Sequence, residues 1–138
     1  SNGAIAVERR FMHGVTNAPL VGRVACGSPA EAIESIEGVY SLPPEIFGSG
    51  ELMLLRAEGQ SMEKAGIDTG DLIVIRRQSE AEYGQIVLAL IGDEATVKRY
   101  YPKKSGKIIL HPENDKMKDI VVESCNIQGI IVGCIKTY

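Results

Sequence analysis

Tryptophan is absent from this 138-residue chain, and two phenylalanines and five tyrosines supply all of its aromatic surface. Unpaired bases are held largely by stacking on aromatic rings, so a single-strand-binding platform is not expected. An excess of positive charge is missing too: 15 basic and 18 acidic residues give a net charge of −3. The basic residues come in small groups, Arg9-Arg10, Arg76-Arg77, Lys98-Arg99 and Lys103-Lys104. They do not form the stripe that a phosphate backbone calls for, and most read as solvated surface. The apolar runs, such as Ile86–Ile91 and Ile130–Val132, are far shorter than the 18 or so residues of a membrane span. Three cysteines, Cys26, Cys125 and Cys134, form no CxxC pair, and nothing resembles a signal peptide. A reducing cytoplasm is therefore the expected compartment. His13 and His111 lie far apart, so no zinc-ligand pattern is present, and neither a metal nor a cofactor is expected.

What is present suits one soluble domain. Hydrophobic residues make up 44% and charged residues 24%, which excludes a globally disordered chain. At this size about two-thirds of the unfolded surface is buried on folding, enough for a core without disulfide or metal staples. The opening Ser1-Asn2 reads as a tag remnant, and residues 1–18 as that remnant plus a linker with weak periodicity. The remaining residues, 19–138, read as the folded domain.

Beyond Pro19 the chain is punctuated every eight to twelve residues by glycine or proline. Apolar strands are expected at Glu51–Ala57, Leu72–Ile75, Gln85–Ile91, Ala95–Tyr101, Lys107–Leu110, Ile120–Val122 and Ile130–Ile135. Ser61–Ala65 has room for one helical turn, and Ala30–Glu37 is helical by propensity. Long amphipathic helices are lacking. The expected class is mainly β, a strand-rich domain with only short helices.

Two ways of activating a nucleophile can be weighed. A histidine triad needs a histidine within reach of a hydroxyl or thiol and a carboxylate behind it, and neither histidine sits in such a pattern. The α/β-hydrolase elbow GxSxG is also absent. The other way is a neutral lysine, whose amine, deprotonated by burial, takes the hydroxyl proton directly. Gly59-Gln60-Ser61-Met62 places a serine at a turn after a strand, and Ala95–Tyr100 places Lys98 inside a strand. Taken alone, each has an ordinary explanation: Ser61 as a helix N-cap, and Lys98 as an edge-strand lysine that discourages aggregation.

Several ordered blocks together resemble the LexA repressor family of self-cleaving serine/lysine peptidases, which also holds UmuD and phage repressors. They are Gly59-Gln60-Ser61-Met62, Ala65–Ile73 and Thr96-Val97-Lys98-Arg99. Similar blocks occur at Pro19–Val24, Ile36-Glu37-Gly38, Leu110-His111-Pro112-Glu113-Asn114 and Gly129–Gly133. The resemblance covers roughly residues 19–138. It implies the strand-rich fold shared with signal peptidases, with Ser61 as nucleophile and Lys98 as base. The backbone N–H groups of Ser61 and Gln60 would be the oxyanion donors. The family cuts its own chain before a glycine, which here implies the Cys26-Gly27 bond. Most LexA repressors have alanine at that position, and a Cys-Gly bond is more like UmuD.

The resemblance also implies partners. RecA filaments on single-stranded DNA would stimulate the cut, and operator DNA would be bound only through an N-terminal helix-turn-helix unit, for which 18 residues are too few. The expected protein is thus the C-terminal peptidase and dimerisation domain of a repressor. A UmuD-like accessory protein of translesion synthesis and a phage repressor are the near alternatives. A non-catalytic dimerisation module is a more distant one, and a signal peptidase would need a membrane anchor. Ile130–Ile135 is apolar on both faces and lies near the end of the chain, where strands often sit at a sheet edge, so it is expected to pair with a second copy in a homodimer; the alternative is a strand buried inside the monomer.

Overall fold

The computed structural model describes residues 14–22 and 36–138. The Cys26-Gly27 bond, His13 and most of the expected Ala30–Glu37 helix lie outside them. In chain order the elements are β1 (Thr16–Val21), β2 (Ile36–Leu42), a one-turn helix α1 (Pro44–Phe47), β3 (Leu52–Arg56), a 3-10 turn (Glu63–Ala65), β4 (Leu72–Arg77), β5 (Ile86–Ile91), β6 (Glu94–Pro102), β7 (Ile108–His111), β8 (Ile120–Val122) and β9 (Asn126–Ile135). They form one sheet in the order β2-β1-β3-β4-β9-β5-β6-β7-β8. All neighbours are antiparallel except β1 and β3. The mainly-β class expected from the sequence is what the chain adopts.

β-branched and leucine-rich segments form these strands because branched side chains pack well on a pleated surface. The core strands are apolar on both faces because the sheet separates different hydrophobic clusters. Ile73 and Ile75 of β4 join Met53 and Leu88 in one cluster, while Val74 between them joins Leu20, Leu52 and Leu54 in another. Val87 and Ala89 flank Leu88 in β5 but pack with Leu110 and Ile130 in a third. The period-2 alternation of side chains produces this division.

The structure corrects several expectations. β1 starts at Thr16, so Thr16–Ala18 belong to the sheet, and Ala18 is fully buried. Ile36 and Glu37, expected in a helix, begin β2; Ile36 pairs with Val21 of β1, and Glu37 falls at a shift in the register before Gly38 pairs with Leu20. β9 is not an edge strand. Asn126–Ile130 pair with β5, and Gly129–Ile135 pair with β4. The apolar character of β9 on both faces therefore comes from its place in the middle of the sheet. Among the described residues its last part, Ile131–Ile135, pairs only with β4, because the pairing with β5 ends at Ile130.

Gly129 sits where β9 is flanked by β4 and β5 together. A Cβ there would lie 2.5 Å from both the Arg76 carbonyl oxygen and Ile75 Cγ2. Because one obstacle is backbone, the strain cannot be relieved by a rotamer change. Gly129→Ala is expected to destabilise the fold by about 1–3 kcal/mol, as overpacking typically does. Urea unfolding checks this, and a midpoint equal to that of wild type would contradict it.

Candidate active site

Ser61 lies in the connection between β3 and β4. β3 ends at Arg56, and Gly59 then turns the chain with φ +83°, a left-handed conformation that glycine adopts without strain. The next residue after Ser61, Met62, is 3% exposed, and Ile67 is 6% exposed. Both pack into the cluster of Met53, Ile73 and Leu88, which pins the turn to the sheet. The N-cap position of the 3-10 turn is Met62, with no side-chain cap. Ser61 therefore does not serve as an N-cap, and its hydroxyl is left for another task.

Lys98 reaches that hydroxyl from β6. Its Nζ lies 3.2 Å from Ser61 Oγ, 2.6 Å from Thr96 Oγ1 and 3.3 Å from the Val97 carbonyl oxygen. Thr96 and Lys98 share a face of β6 because side chains alternate along a strand. Lys98 is 9% exposed. It is opposite Val87 on β5, while the pairing of β6 with β7 starts only at Arg99. Burial pushes the Lys98 amine below its ordinary value of 10.5. No carboxylate among the described residues pairs with it to offset that effect. The solvated edge lysine considered from sequence is thus replaced by a desolvated amine facing a serine.

A second group of residues ties these two elements together. Pro112, Glu113 and Asn114 follow β7 and pack beside both. The Glu113 carboxylate is ion-paired with Arg99, the residue after Lys98, and its carbonyl oxygen accepts from the Lys64 amide at 2.9 Å. Arg99 also donates to the Gly84 carbonyl at 2.7 Å. Asn114 is 7% exposed, and its Nδ2 donates to the Gln60 carbonyl at 2.8 Å. Its Oδ1 accepts the Lys116 amide at 2.9 Å. On the other side of the turn, Thr69 Oγ1 donates to the Gly59 carbonyl at 2.9 Å. The Thr69 turn is held in its turn by Asp71, which is 6% exposed and accepts from the Asp68 amide and from Lys136 Nζ. Lys136 and the Asp68 amide hold the Asp71 carboxyl below its usual range.

A groove of about 410 Å³ adjoins the Ser61–Lys98 pair. Its lining includes Gly59, Met62, Leu88, Ala95, Thr96 and Val97, and also Gly22 and Glu37. The last two flank the segment, 23–35, that carries Cys26 and Gly27. Ser61, Lys98 and Gln60 do not themselves line the groove, but their chain neighbours Gly59, Met62, Thr96 and Val97 do, so a serine, a desolvated amine and two backbone N–H groups lie next to it. Such a set can add a hydroxyl to an amide carbonyl, with the amine as proton acceptor.

Of the residues singled out from sequence, Ser61, Lys98 and Gln60 come together, while Cys26 and Gly27 lie outside the described residues. His111 is elsewhere, against Asp119. Thr96, Thr69 and Asn114 were given no part in the chemistry. Thr96 could have been found from its place two residues before Lys98 on a strand. The contacts of Thr69 and Asn114 depend on the fold.

The fold is strand-rich and brings a part-buried serine beside a buried lysine, and residues 19–132 match the Peptidase S24-like family. The chain belongs to that family. It is 47% identical over 127 residues to the LexA repressor of Caldicellulosiruptor saccharolyticus, covering 91% of this chain and 62% of that protein. Identity to the LexA repressor of Syntrophotalea carbinolica is 48% over 123 residues, with 87% and 60% covered. It is 48% over 123 residues to that of Lacticaseibacillus casei, with 88% and 57% covered. The chain therefore spans about 60% of the length of these relatives.

Burying an uncompensated amine gives a stability signature. The amine is charged at neutral pH in the unfolded chain, and folding lowers its pKa. Stability is therefore reduced below the folded pKa and recovers as pH rises toward the unfolded value near 10.4. In a Ser61→Ala background, Lys98→Met is expected to raise the melting temperature at pH 7, with the gain shrinking by pH 10. A gain that does not change with pH would argue against a desolvated amine.

Proposed function

We propose that this chain is the self-cleaving and dimer-forming domain of a LexA-type repressor. The observation that carries this reading is the 3.2 Å approach of a buried lysine amine to a serine hydroxyl. The serine–lysine roles follow from it. Ser61 Oγ attacks the Cys26 carbonyl carbon while Lys98 takes the hydroxyl proton. The N–H groups of Ser61 and Gln60 hold the oxyanion. As the Cys26–Gly27 bond breaks, Lys98 returns the proton to the Gly27 nitrogen. Water then hydrolyses the acyl-enzyme, and the chain is cut once.

The groove supports an intramolecular reaction, since Gly22 and Glu37 at its rim bracket the segment that carries the scissile bond. Ala95–Val97 pair with β5 but not with β7, so among the described residues their other backbone edge has no strand partner and could take an extended peptide. Holding nucleophile and target in one chain replaces a bimolecular encounter. Glycine after the cut lets the backbone approach the serine closely.

The cut would separate this domain from a DNA-binding unit carried elsewhere in the repressor and release operator DNA. RecA filaments on single-stranded DNA would promote it by favouring the docked segment, placing the protein in the cytoplasmic response to DNA damage. The relatives named above are LexA repressors, which favours this reading over a UmuD-like one. No helix among the described residues is long and apolar enough to cross a membrane.

The purified chain is expected to split at alkaline pH into Ser1–Cys26 and Gly27–Tyr138, identified by mass. The rate should rise with pH until Lys98 is fully neutral and then level off. Ser61→Ala and Lys98→Ala should each stay whole while remaining folded. Cutting in the Ser61→Ala chain, or at another bond, would refute the assignment.

Dimerisation is proposed through the half-paired end of β9. Ile131–Ile135 hydrogen-bond to β4 on one edge, which leaves the other edge open beyond Ile130. Two such edges pair naturally about a two-fold axis. Sedimentation at micromolar concentration is expected to give a dimer. A charge at Ile131 or Ile135 should yield a folded monomer, whereas a wild-type monomer would reject this interface.

A further inference from the structure

Resting on the serine–lysine reading above, we infer that Asn114 and Thr69 are positioning residues for the oxyanion donors. The argument is geometric. The described peptide bonds contain no cis form, and in a trans peptide the C=O and N–H point in opposite directions within one plane. The Gln60 carbonyl and the Ser61 N–H belong to the same peptide unit. That carbonyl accepts from Asn114 Nδ2 at 2.8 Å and from the Glu63 amide at 3.3 Å, so the shorter bond to the Asn114 side chain helps to set the direction of the Ser61 N–H. The Gly59 carbonyl and the Gln60 N–H share the preceding unit. Thr69 Oγ1, bonded to that carbonyl at 2.9 Å, sets the direction of the Gln60 N–H. Each proposed oxyanion donor is thus aimed from behind by a side chain that touches neither Ser61 Oγ nor Lys98 Nζ.

For the Gln60 N–H, the need for such aiming comes from Gly59: its positive φ makes the turn possible, but glycine restrains the following peptide plane, which carries that N–H, less than another residue would. A pocket that stabilises developing charge works only if its dipoles are already oriented when the charge appears. The two anchors differ in strength. Asn114 is buried, and its own Oδ1 is fixed by the Lys116 amide, so its orientation is determined from both ends. Thr69 is exposed, but its turn is fastened through Asp71 to the Asp68 amide and Lys136. Glu113, next to Asn114, is bound to Arg99 beside Lys98, so the segment that aims the Ser61 N–H is fastened to the strand bearing the base.

The test measures self-cleavage against pH in the whole chain. Asn114→Ala and Thr69→Val are each expected to lower the plateau rate about tenfold to a hundredfold, the size of effect a misplaced group produces. The pH midpoint should stay at the wild-type value, because neither residue touches Lys98. Thr69→Ser keeps the hydroxyl and should restore the rate. If Asn114→Ala fails to fold, the Thr69 pair decides alone, since Thr69 is exposed. Wild-type plateau rates in Thr69→Val would overturn the inference. So would a shifted midpoint, which would mean that Lys98 had been displaced, or equal loss in Thr69→Ser and Thr69→Val. These outcomes presuppose a wild-type cut that needs Ser61. A Ser61→Ala chain that still cuts would refute the underlying reading instead, and with it this one.

Discussion

Removing the Lys98 amine from water is the constraint on which the site depends. A solvated lysine at neutral pH is almost wholly protonated and cannot accept a proton from a serine. Burial is the direct way to change that without a metal or a second base, because a low-dielectric surrounding disfavours the charged form. A carboxylate near Lys98 would make the fold more comfortable and would abolish the basicity. The neighbours Nζ does have are neutral: the Thr96 and Ser61 hydroxyls and the Val97 carbonyl. They satisfy the amine's hydrogen bonds without adding a compensating charge. On the proposed reading, the site accepts a stability cost in return for a usable base.

That cost has to be borne by the packing around it. Val87, opposite Lys98, is completely buried, and Leu88, beside it, belongs to the same cluster as Met62 next to Ser61. One cluster thus lies under both the Ser61 turn and the strand bearing Lys98. Because close-packed interiors resist small displacements, the serine–lysine distance is defined by the core as well as by local contacts. The Glu113–Arg99 ion pair and the Asn114–Gln60 hydrogen bond repeat this connection through polar contacts.

Much of the fold was legible in the sequence wherever a strand was both apolar and bounded by turns. The segments around Leu72–Ile75, Ile86–Ile91 and Ile120–Val122 are of that kind. β2 was not legible, because of its seven residues only Leu42 is buried, so an edge strand of this sort carries no apolar period. β9 misled in a different way. Its apolar run correctly marked a strand, but the position of that strand between β4 and β5 is a pairing across long sequence separations that no local pattern reports. The candidate site divides similarly. Ser61 at its turn and Lys98 in its strand were visible singly, each with an ordinary alternative. Only the resemblance of the surrounding blocks brought them together, across 37 positions.

The same separation explains why the flanking contacts stayed hidden. Asn114 lies 54 positions from Gln60, and its meaning is a direction imposed on a peptide plane, which residue type and spacing do not encode. Thr69 is nearer, 10 positions from Gly59, yet its turn would look the same if it were only a connection between strands. A catalytic pair can be guessed from chemistry because few residue types can do the work. The residues that aim it are ordinary polar side chains, recognisable only once the fold shows which carbonyl each one holds. For the proposed self-cleavage, which would happen once per chain, turnover places no demand on product release. The remaining demand is that the proposed nucleophile, base and oxyanion donors already be in place for the segment to be cut, and that is a property of the scaffold.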